Sequence, residues 1–493
     1  MKVSESFSTV DPNIQFILSA DSEHCDILND LFERYQNLIR SHFKSLVYSY
    51  SKKYGDPSGH VDTVEVTVKN CEVVPSQSMN ESYSLDIEEG SNFVKLNAEA
   101  EWGVIRGLES FAQMIHPINY APSVNTTTIT DFPRFQFRGF LIDTSRHYLP
   151  ISAIKAHISA LSWNKFNVLH WHIVDLESFP YESEIKDIIE YARQRGIRVV
   201  PEFDTPGHTS SWGPGAGPNF LTRCYDQDGN PDGTLGPINP IYAENYLLMK
   251  RLLTEVAQVF EDAYLHLGGD EVPFGCWKSN PDITEYMAAN NMTTYPQLEQ
   301  QWVQGMVEIA ESLKKHYVVW EEVFVNGVKI NNNTVVEQML VDLEEPRQLN
   351  TTMEAVTKSG HKALLASPWY LNYISYGVDW QKYYVEEPTA FNGTEEQKKL
   401  VMGGSTAMWG EYVDGTNLLQ RTWPRASAVA ERLWSAKEVR STQTALPRLN
   451  EWRCRMLVRG LPAEPAIANI NLMPEYGYCP TPYDHTNDYS GHF

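Results

Sequence analysis

Tyr264-Leu-His-Leu-Gly-Gly-Asp270-Glu271-Val272 reads as a short apolar strand that stops at two glycines and then exposes two adjacent carboxylates. Neighbouring side chains on a strand point to opposite faces. The glycine pair relaxes that alternation at the strand's end, because glycine tolerates backbone angles that other residues avoid. Asp270 and Glu271 can therefore enter one pocket at different depths. The same unit, an apolar run ending in polar groups, recurs on both sides of this stretch. Strands are expected at 137–142, 168–171, 199–203, 263–267, 318–320, 334–339, 363–367 and 401–408. Helices are expected between them at 152–161, 184–195, 242–259, 298–315, 353–359 and 423–435. The strands lack polar alternation, which is the mark of strands buried on both faces of a parallel sheet. An α/β fold built as a closed (β/α)8 TIM barrel accounts for eight such strands. A doubly wound open sheet is the competing layout, but no Gly-x-Gly-x-x-Gly follows the first strand.

Residues 1–132 read as a separate small α/β unit. Alternation over 61–68 marks a half-buried strand, 82–87 and 93–96 suggest more, and helices are expected at 27–47 and 98–114. No catalytic cluster occurs there, so its expected role is structural. Residues 133–493 are assigned to the barrel with a C-terminal extension.

A barrel predicts functional groups at the C-terminal ends of its strands. Those ends read Asp143-Thr-Ser-Arg146-His147, then His170-Trp-His172 with Asp175, then Pro201-Glu-Phe-Asp204-Thr-Pro-Gly-His208. They continue with Asp270-Glu271, Trp320-Glu-Glu322, Pro368-Trp369-Tyr370-Leu-Asn372 and Trp409-Gly-Glu411. Carboxylates, histidines and large rings thus recur where this fold builds its site. Glycoside hydrolysis wants that set. Rings stack on apolar sugar faces, charged groups bind hydroxyls, and paired carboxyl groups handle the proton and the developing positive charge. Zinc hydrolysis through His170, His172, His208 and Asp204 is the rival chemistry. No His-Glu-x-x-His is present, and the His-x-His can instead orient carboxylates by hydrogen bonds, so no metal is assigned.

Composition narrows the class further. A net charge of -23 argues against nucleic acid and anionic membranes as partners. Thirteen Trp and 26 Tyr supply rings for a sugar cleft or for a large core. No apolar run reaches membrane-spanning length. Six Cys occur without a Cys-x-x-Cys, and local pairing of Cys25 with Cys71, Cys224 with Cys276 and Cys454 with Cys479 suits a secreted chain. Sequons at Asn80, Asn125, Asn291, Asn332, Asn350 and Asn392 point the same way, towards a lysosomal or extracellular destination. The first residues lack a signal-like apolar segment, so a secretory origin implies a leader removed ahead of Met1.

Phe137-Arg-Gly-Phe-Leu-Ile-Asp-Thr-Ser-Arg146, His170-Trp-His-Ile-Val-Asp175, Pro201 to His208, His266-Leu-Gly-Gly-Asp-Glu271 and Trp409-Gly-Glu-Tyr-Val-Asp414 resemble family 20 β-N-acetylhexosaminidases, most of all the animal lysosomal chains. The resemblance covers nearly the whole chain, including the proposed cysteine pairs. It implies exo-acting removal of terminal β-linked N-acetylhexosamine from a glycan, with retention of configuration and no cofactor. The substrate's own acetamido oxygen would attack the anomeric carbon. Glu271 would be the general acid and then the base, its pKa raised by burial and by Asp270. Asp270 would orient the acetamido N–H, and Tyr370 would donate to its oxygen. Arg146 and Glu411 would bind ring hydroxyls. Trp320 and Trp409 would wall the acetamido methyl, with Trp369 nearby. Asp175 and His208 would place the catalytic carboxylates. A disulfide at Cys276 would tether the loop carrying the acid, and a homodimer is implied.

Three departures stand out. Met339 occupies a position where many members carry a pocket-lining Trp, and its flexible side chain would fill part of that space. Leu176 replaces an acidic residue and Gly404-Ser405 a Gly-Glu. Asn372-Tyr373 has the Asn that accompanies tolerance of sulfated sugars but not its Arg, so neutral substrates are expected. A chitooligosaccharide-processing enzyme and an inactive sugar-binding barrel are the alternatives.

Overall fold

The computed structural model describes residues 2–46, 55–119, 121–179, 181, 183–338, 347–467 and 479. Eight parallel strands close into a barrel: β1 (Phe137–Asp143), β2 (Val168–His172), β3 (Arg198–Glu202), β4 (Tyr264–His266), β5 (His316–Trp320), β6 (Val335–Gln338), β7 (Lys362–Leu365) and β8 (Val401–Met408). Each pairs with its sequence neighbour, and β8 returns to β1 through Gly403↔Phe137 to Met408↔Ile142. The last gap is narrow, because β3 and β4 meet through the single pair His266↔Glu202.

The inside of the barrel is layered. Phe137, Val168, Val200, Tyr264, Val318, Val335 and Leu364 fill its N-terminal half. Above them lie buried His170, Glu202, His266 and Glu337. Leu141, Trp320, Ala366, Tyr370, Ala407 and Trp409 gather at the mouth. Apolar side chains facing outwards pack under the surrounding helices as one large core. Burial on both faces is why these strands carry near-continuous apolar runs.

A mixed six-stranded sheet precedes the barrel, in the order Lys2–Leu18, Gly59–Asn70, Phe93–Ala100, Tyr83–Ile87, Ala121–Asp131 and His116–Ile118. Helices Leu28–Leu46 and Glu101–Met114 pack their apolar faces on it. The sequence reading misses the first strand. Its apolar pattern breaks at Asp11-Pro12, where the register against Gly59–Asn70 also shifts. Also absent from that reading are the hairpin of Leu221–Tyr225 with Pro231–Ile238 and helix Thr442–Val458. All three expected disulfides form.

Charge joins the sheet unit to the barrel. Glu81 lies between Arg106 of helix Glu101–Met114 (2.8 Å) and Arg138 of β1 (2.5 Å), and all three are fully buried. Arg106 also donates to the carbonyls of Ser162, Phe166 and Gly196 at the barrel base. Burial opposes ionisation of Glu81, but the two guanidiniums hold its carboxyl below the usual range. Removing the anion would strand two buried cations. Glu81→Ala is expected to lower unfolding free energy by about 3–5 kcal/mol, read by denaturant titration against wild type.

Candidate active site

The strand-end turn after β4 is built from left-handed residues. Gly268 has φ 65° and Gly269 φ 99°. A Cβ on Gly268 would fall 1.8 Å from Asp204 Oδ1, and one on Gly269 2.3 Å from Val323 Cγ2, so only glycine fits either place. Beyond them Asp270 turns inward and is buried, whereas the Glu271 side chain is 68% exposed at the mouth. The two carboxylates thus occupy different depths, as expected from the glycine pair. The expected burial of Glu271 does not hold, because its loop opens to solvent above Asp270.

Asp270 is embedded in a chain of charged groups. Asp204, at the end of β3, accepts a 2.7 Å hydrogen bond from Gly269 N–H. Burial and the neighbouring Asp270 push the Asp204 carboxyl well above the usual range. His208, itself left-handed with φ 53°, places Nδ1 2.8 Å from Asp175. Its Nε2 lies 3.8 Å from Asp270 and 3.7 Å from Glu271. Asp175 therefore reaches the two carboxylates through His208, as the sequence reading expects. Asp175 also meets Arg146 at 2.7 Å and His172 at 3.1 Å. Burial would raise the Asp175 carboxyl, but His172, His208 and Arg146 hold it well below the usual range.

His172 continues the chain downwards, its Nδ1 2.9 Å from Glu202. Glu202, wholly buried, also accepts from His170 Nε2 (2.9 Å) and Trp320 Nε1 (2.8 Å). Burial lowers the His172 pKa, yet Glu202 and Asp175 outweigh it and carry it up to about 10.

At the other wall Arg146 pairs with Asp143 at 2.7 Å, lies 3.9 Å from Glu411 and covers the Trp409 ring at 5.1 Å. Asp143 in turn accepts from Gly410 N–H, tying the ends of β1 and β8 together. Glu411 is 47% exposed. Tyr370 is buried beside Trp409, with ring centroids 6.3 Å apart, and Tyr373 stacks on it at 6.0 Å. Asn372 is half-buried at the rim, and its carbonyl accepts from Arg421. Among the described residues, the buried polar atoms at the mouth without a hydrogen-bond partner include Asp270 Oδ1 and Tyr370 Oη, beside Arg146 Nε, Asp175 Oδ1, Asp204 Oδ2 and His208 Nε2.

Not every expected residue joins this group. Trp369 is fully buried in the layer between barrel and helices, donates to the Tyr383 carbonyl, and lies against Gly404. It packs behind the strand instead of walling the pocket, because the short helical turn Ser367–Trp369 rotates it outwards. Trp320 is in place but is fixed as floor by its bond to Glu202. Met339 lies outside the described residues. Two groups have the spacing of a divalent-cation site, His170/His266/Glu337 and Asp204/His208/Asp270. In each, the ligand atoms already face one another as ion pairs or shared protons. The disulfide Cys224–Cys276 joins the hairpin to helix Gly275–Ser279, just past Glu271, as expected of a tether.

The catalytic-domain model of glycosyl hydrolase family 20 matches residues 135–184 and 181–437, and a β-acetyl hexosaminidase-like model matches 1–114. The chain belongs to glycosyl hydrolase family 20. It is 43% identical over 491 residues to β-hexosaminidase subunit alpha of Rattus norvegicus, covering 95% of this chain and 90% of that one. Identity to the human β-hexosaminidase subunit beta is 43% over 481 residues, covering 92% and 83%. The X-ray structure of Flavobacterium johnsoniae chitobiase superposes with a TM-score of 0.79 at 25% identity, over 96% of this chain and 73% of that one.

Within this family 20 site, sequence reading assigned no role to Glu202 or Glu322, and weighed Asp204 only as a ligand in the rival zinc chemistry. Each stands at a strand end in the motifs, and a contact across the barrel is what distinguishes it. The elevated His172 has a consequence for stability. Its pKa is raised above the unfolded value of about 6.5, so its contribution is complete below that pH and fades as pH rises towards 10. The expected result is a wild-type melting temperature that falls between pH 6.5 and 10. In His172→Gln the deficit against wild type should be larger at pH 5 than at pH 10, measured by thermal unfolding across that range.

Proposed function

We propose that this chain is an exo-acting β-N-acetylhexosaminidase that removes terminal β-linked N-acetylglucosamine or N-acetylgalactosamine with retention, through participation of the substrate's acetamido group. The observation that carries the reading is that Asp270 Oδ1 and Tyr370 Oη are among the buried atoms at the mouth without a hydrogen-bond partner. A secondary amide offers one N–H donor and one carbonyl acceptor. Those two atoms are its complement, an acceptor and a donor, held where burial makes an unmade hydrogen bond costly. Trp320 and Trp409 flank the space with apolar surface suited to a methyl group.

With the amide bound, Tyr370 would donate to the carbonyl oxygen and fix its approach to the anomeric carbon. Asp270 would accept from the N–H and oppose the positive charge that grows on nitrogen as the oxazolinium-like ring closes. Glu271, free at the mouth, would protonate the departing oxygen and then activate water. Arg146 and Glu411 would hold ring hydroxyls, with Arg146 fixed by Asp143 and Asp175. A sugar-binding barrel without activity would have no use for an exposed acid beside the buried pair. A chitooligosaccharide substrate would use the same centre with further sugars outside it.

Glu271 and Glu411 both face Tyr373 at the rim, a negative setting that supports a preference for uncharged sugars. Three disulfides, with exposed Asn80, Asn291, Asn332 and Asn392 and half-buried Asn125, support passage through an oxidising secretory compartment to a lysosomal or extracellular destination. Asn350 lies in helix Arg347–Lys358. Exposed Ile374, Tyr376 and Tyr412 near the mouth support an apolar contact with a second copy, as in a homodimer.

The test is release of phenol from an aryl N-acetyl-β-glucosaminide. Glu271→Gln is expected to lose about 10²- to 10⁴-fold in rate, and equal rates would dismiss the assigned acid. A chelator is expected to leave the wild-type rate unchanged, whereas zinc chemistry would be abolished. Neutral substrate should be hydrolysed faster than its 6-sulfated counterpart, and the reverse order would overturn the assigned preference.

A further inference from the structure

The turn that carries the acid is held from two sides. On the β3 side, Asp204 accepts the Gly269 N–H at 2.7 Å. On the β5 side, Glu322 Oε2 accepts the Glu271 N–H at 3.0 Å. Glu322 is the second residue of helix Glu321–Val325, directly after β5. Between these two clamps the backbone departs from ordinary geometry. Glu271 has φ 49°, in the left-handed region, where a side chain with a Cβ is strained. Such a conformation persists only where its surroundings over-determine it. The bond to Glu322 is the contact that does so at Glu271 itself.

We propose that Glu322 is a positioning residue for Glu271: its carboxylate fixes the backbone of the acid in the left-handed turn and so aims the exposed carboxyl at the leaving oxygen. Glu322 touches no substrate in this scheme and transfers no proton. The inference rests on the hydrolase reading above and assigns a cause to a feature that reading leaves unexplained, an acid whose side chain is exposed while its backbone is held.

Glu322 has a second effect, through its charge. Glu271 is faced by His208, Asp270, Glu322 and Tyr373. Glu322 is faced by Asp270, Glu271 and His208, and by Glu321 and Glu299 behind it. Burial and the adjacent carboxylates Asp270 and Glu271 raise the Glu322 carboxyl, opposed by the Glu271 N–H and His208. A negative charge beside another carboxyl disfavours a second negative charge nearby.

The two effects separate by substitution. Glu322→Gln keeps a carbonyl acceptor for the Glu271 N–H and removes the charge; Glu322→Ala removes both. The measurement is kcat/KM over a pH range for two aryl N-acetyl-β-glucosaminides, one releasing phenol and one releasing 2,4-dinitrophenol, a group that departs without a proton. Misplacing the acid should cost Glu322→Ala about ten- to a hundredfold on the phenyl substrate and less than about threefold on the dinitrophenyl one. Glu322→Gln should stay within about threefold of wild type at its optimum, with the basic limb of its profile moved to lower pH. Equal losses on both substrates in a Glu322→Ala protein that melts like wild type would overturn the proposal, as would no loss. If Glu322→Ala fails to fold, the Glu322→Gln profile decides, and a basic limb superimposed on that of wild type overturns the proposal. A wild type that hydrolyses neither substrate overturns the hydrolase reading, and this inference with it.

Discussion

Charge buried at the mouth of a closed barrel must be compensated there, and the layout of this molecule follows from how that is done. Moving an ionised carboxylate out of water costs several kcal/mol or more unless opposite charge and hydrogen bonds replace the solvent. Here burial and Asp270 raise the Asp204 carboxyl well above the usual range, and His208 bridges to Asp175. Arg146 and His172 then balance Asp175, and His172 passes the chain to Glu202. Each carboxylate has a cation or a proton within reach. Among the atoms that the chain of contacts leaves over are an acceptor on Asp270 and a donor on Tyr370. A site poised in this way discriminates by leaving its own polar atoms unpaired when the wrong ligand binds.

Rigidity is distributed to match. The strands β3, β4 and β5 place Glu202, His266 and Trp320 by backbone pairing, and the side chains then lock one another. Asp204 and Glu322 extend that scaffold by a further residue on either side of Asp270. Beyond them the Glu271 side chain is exposed, as the proposed acid and base would require. The sheet unit contributes at the opposite end. Its Glu81 joins Arg106 and Arg138 under the barrel, and Trp434 from the barrel's last strand-linked helix packs into the sheet's own core.

The barrel was legible because its strands are buried on both faces and so read as apolar runs whatever their neighbours. All eight coincide with the expected segments, and the closed order excludes the doubly wound layout. Membership of the candidate site was legible where a charged or aromatic residue sat three or four positions beyond such a run, as for Arg146, Asp270 and Tyr370. Direction was not. Trp369 and Tyr370 are neighbours with equal claims in the sequence, and a short helical turn sends one behind the sheet and the other into the mouth. Exposure of Glu271 was hidden for the same reason, since a left-handed φ at a residue other than glycine leaves no mark in composition. Contacts between separate strand ends, such as Glu322 with Glu271, depend on barrel register and lie beyond any local pattern. The first strand was missed because its partner is far along the chain and its own pattern breaks at Asp11-Pro12.

The central claim is that the sugar's amide oxygen is the nucleophile, oriented by Asp270 and Tyr370. Its most direct test replaces the acetyl group stepwise with fluoro-, difluoro- and trifluoroacetyl in one aryl glucosaminide, which draws electrons from that oxygen and changes little else. If the oxygen attacks, kcat/KM falls steeply along the series, by roughly a hundredfold or more from first to last. A rate indifferent to fluorination would contradict the account and move the nucleophile to the protein or to water.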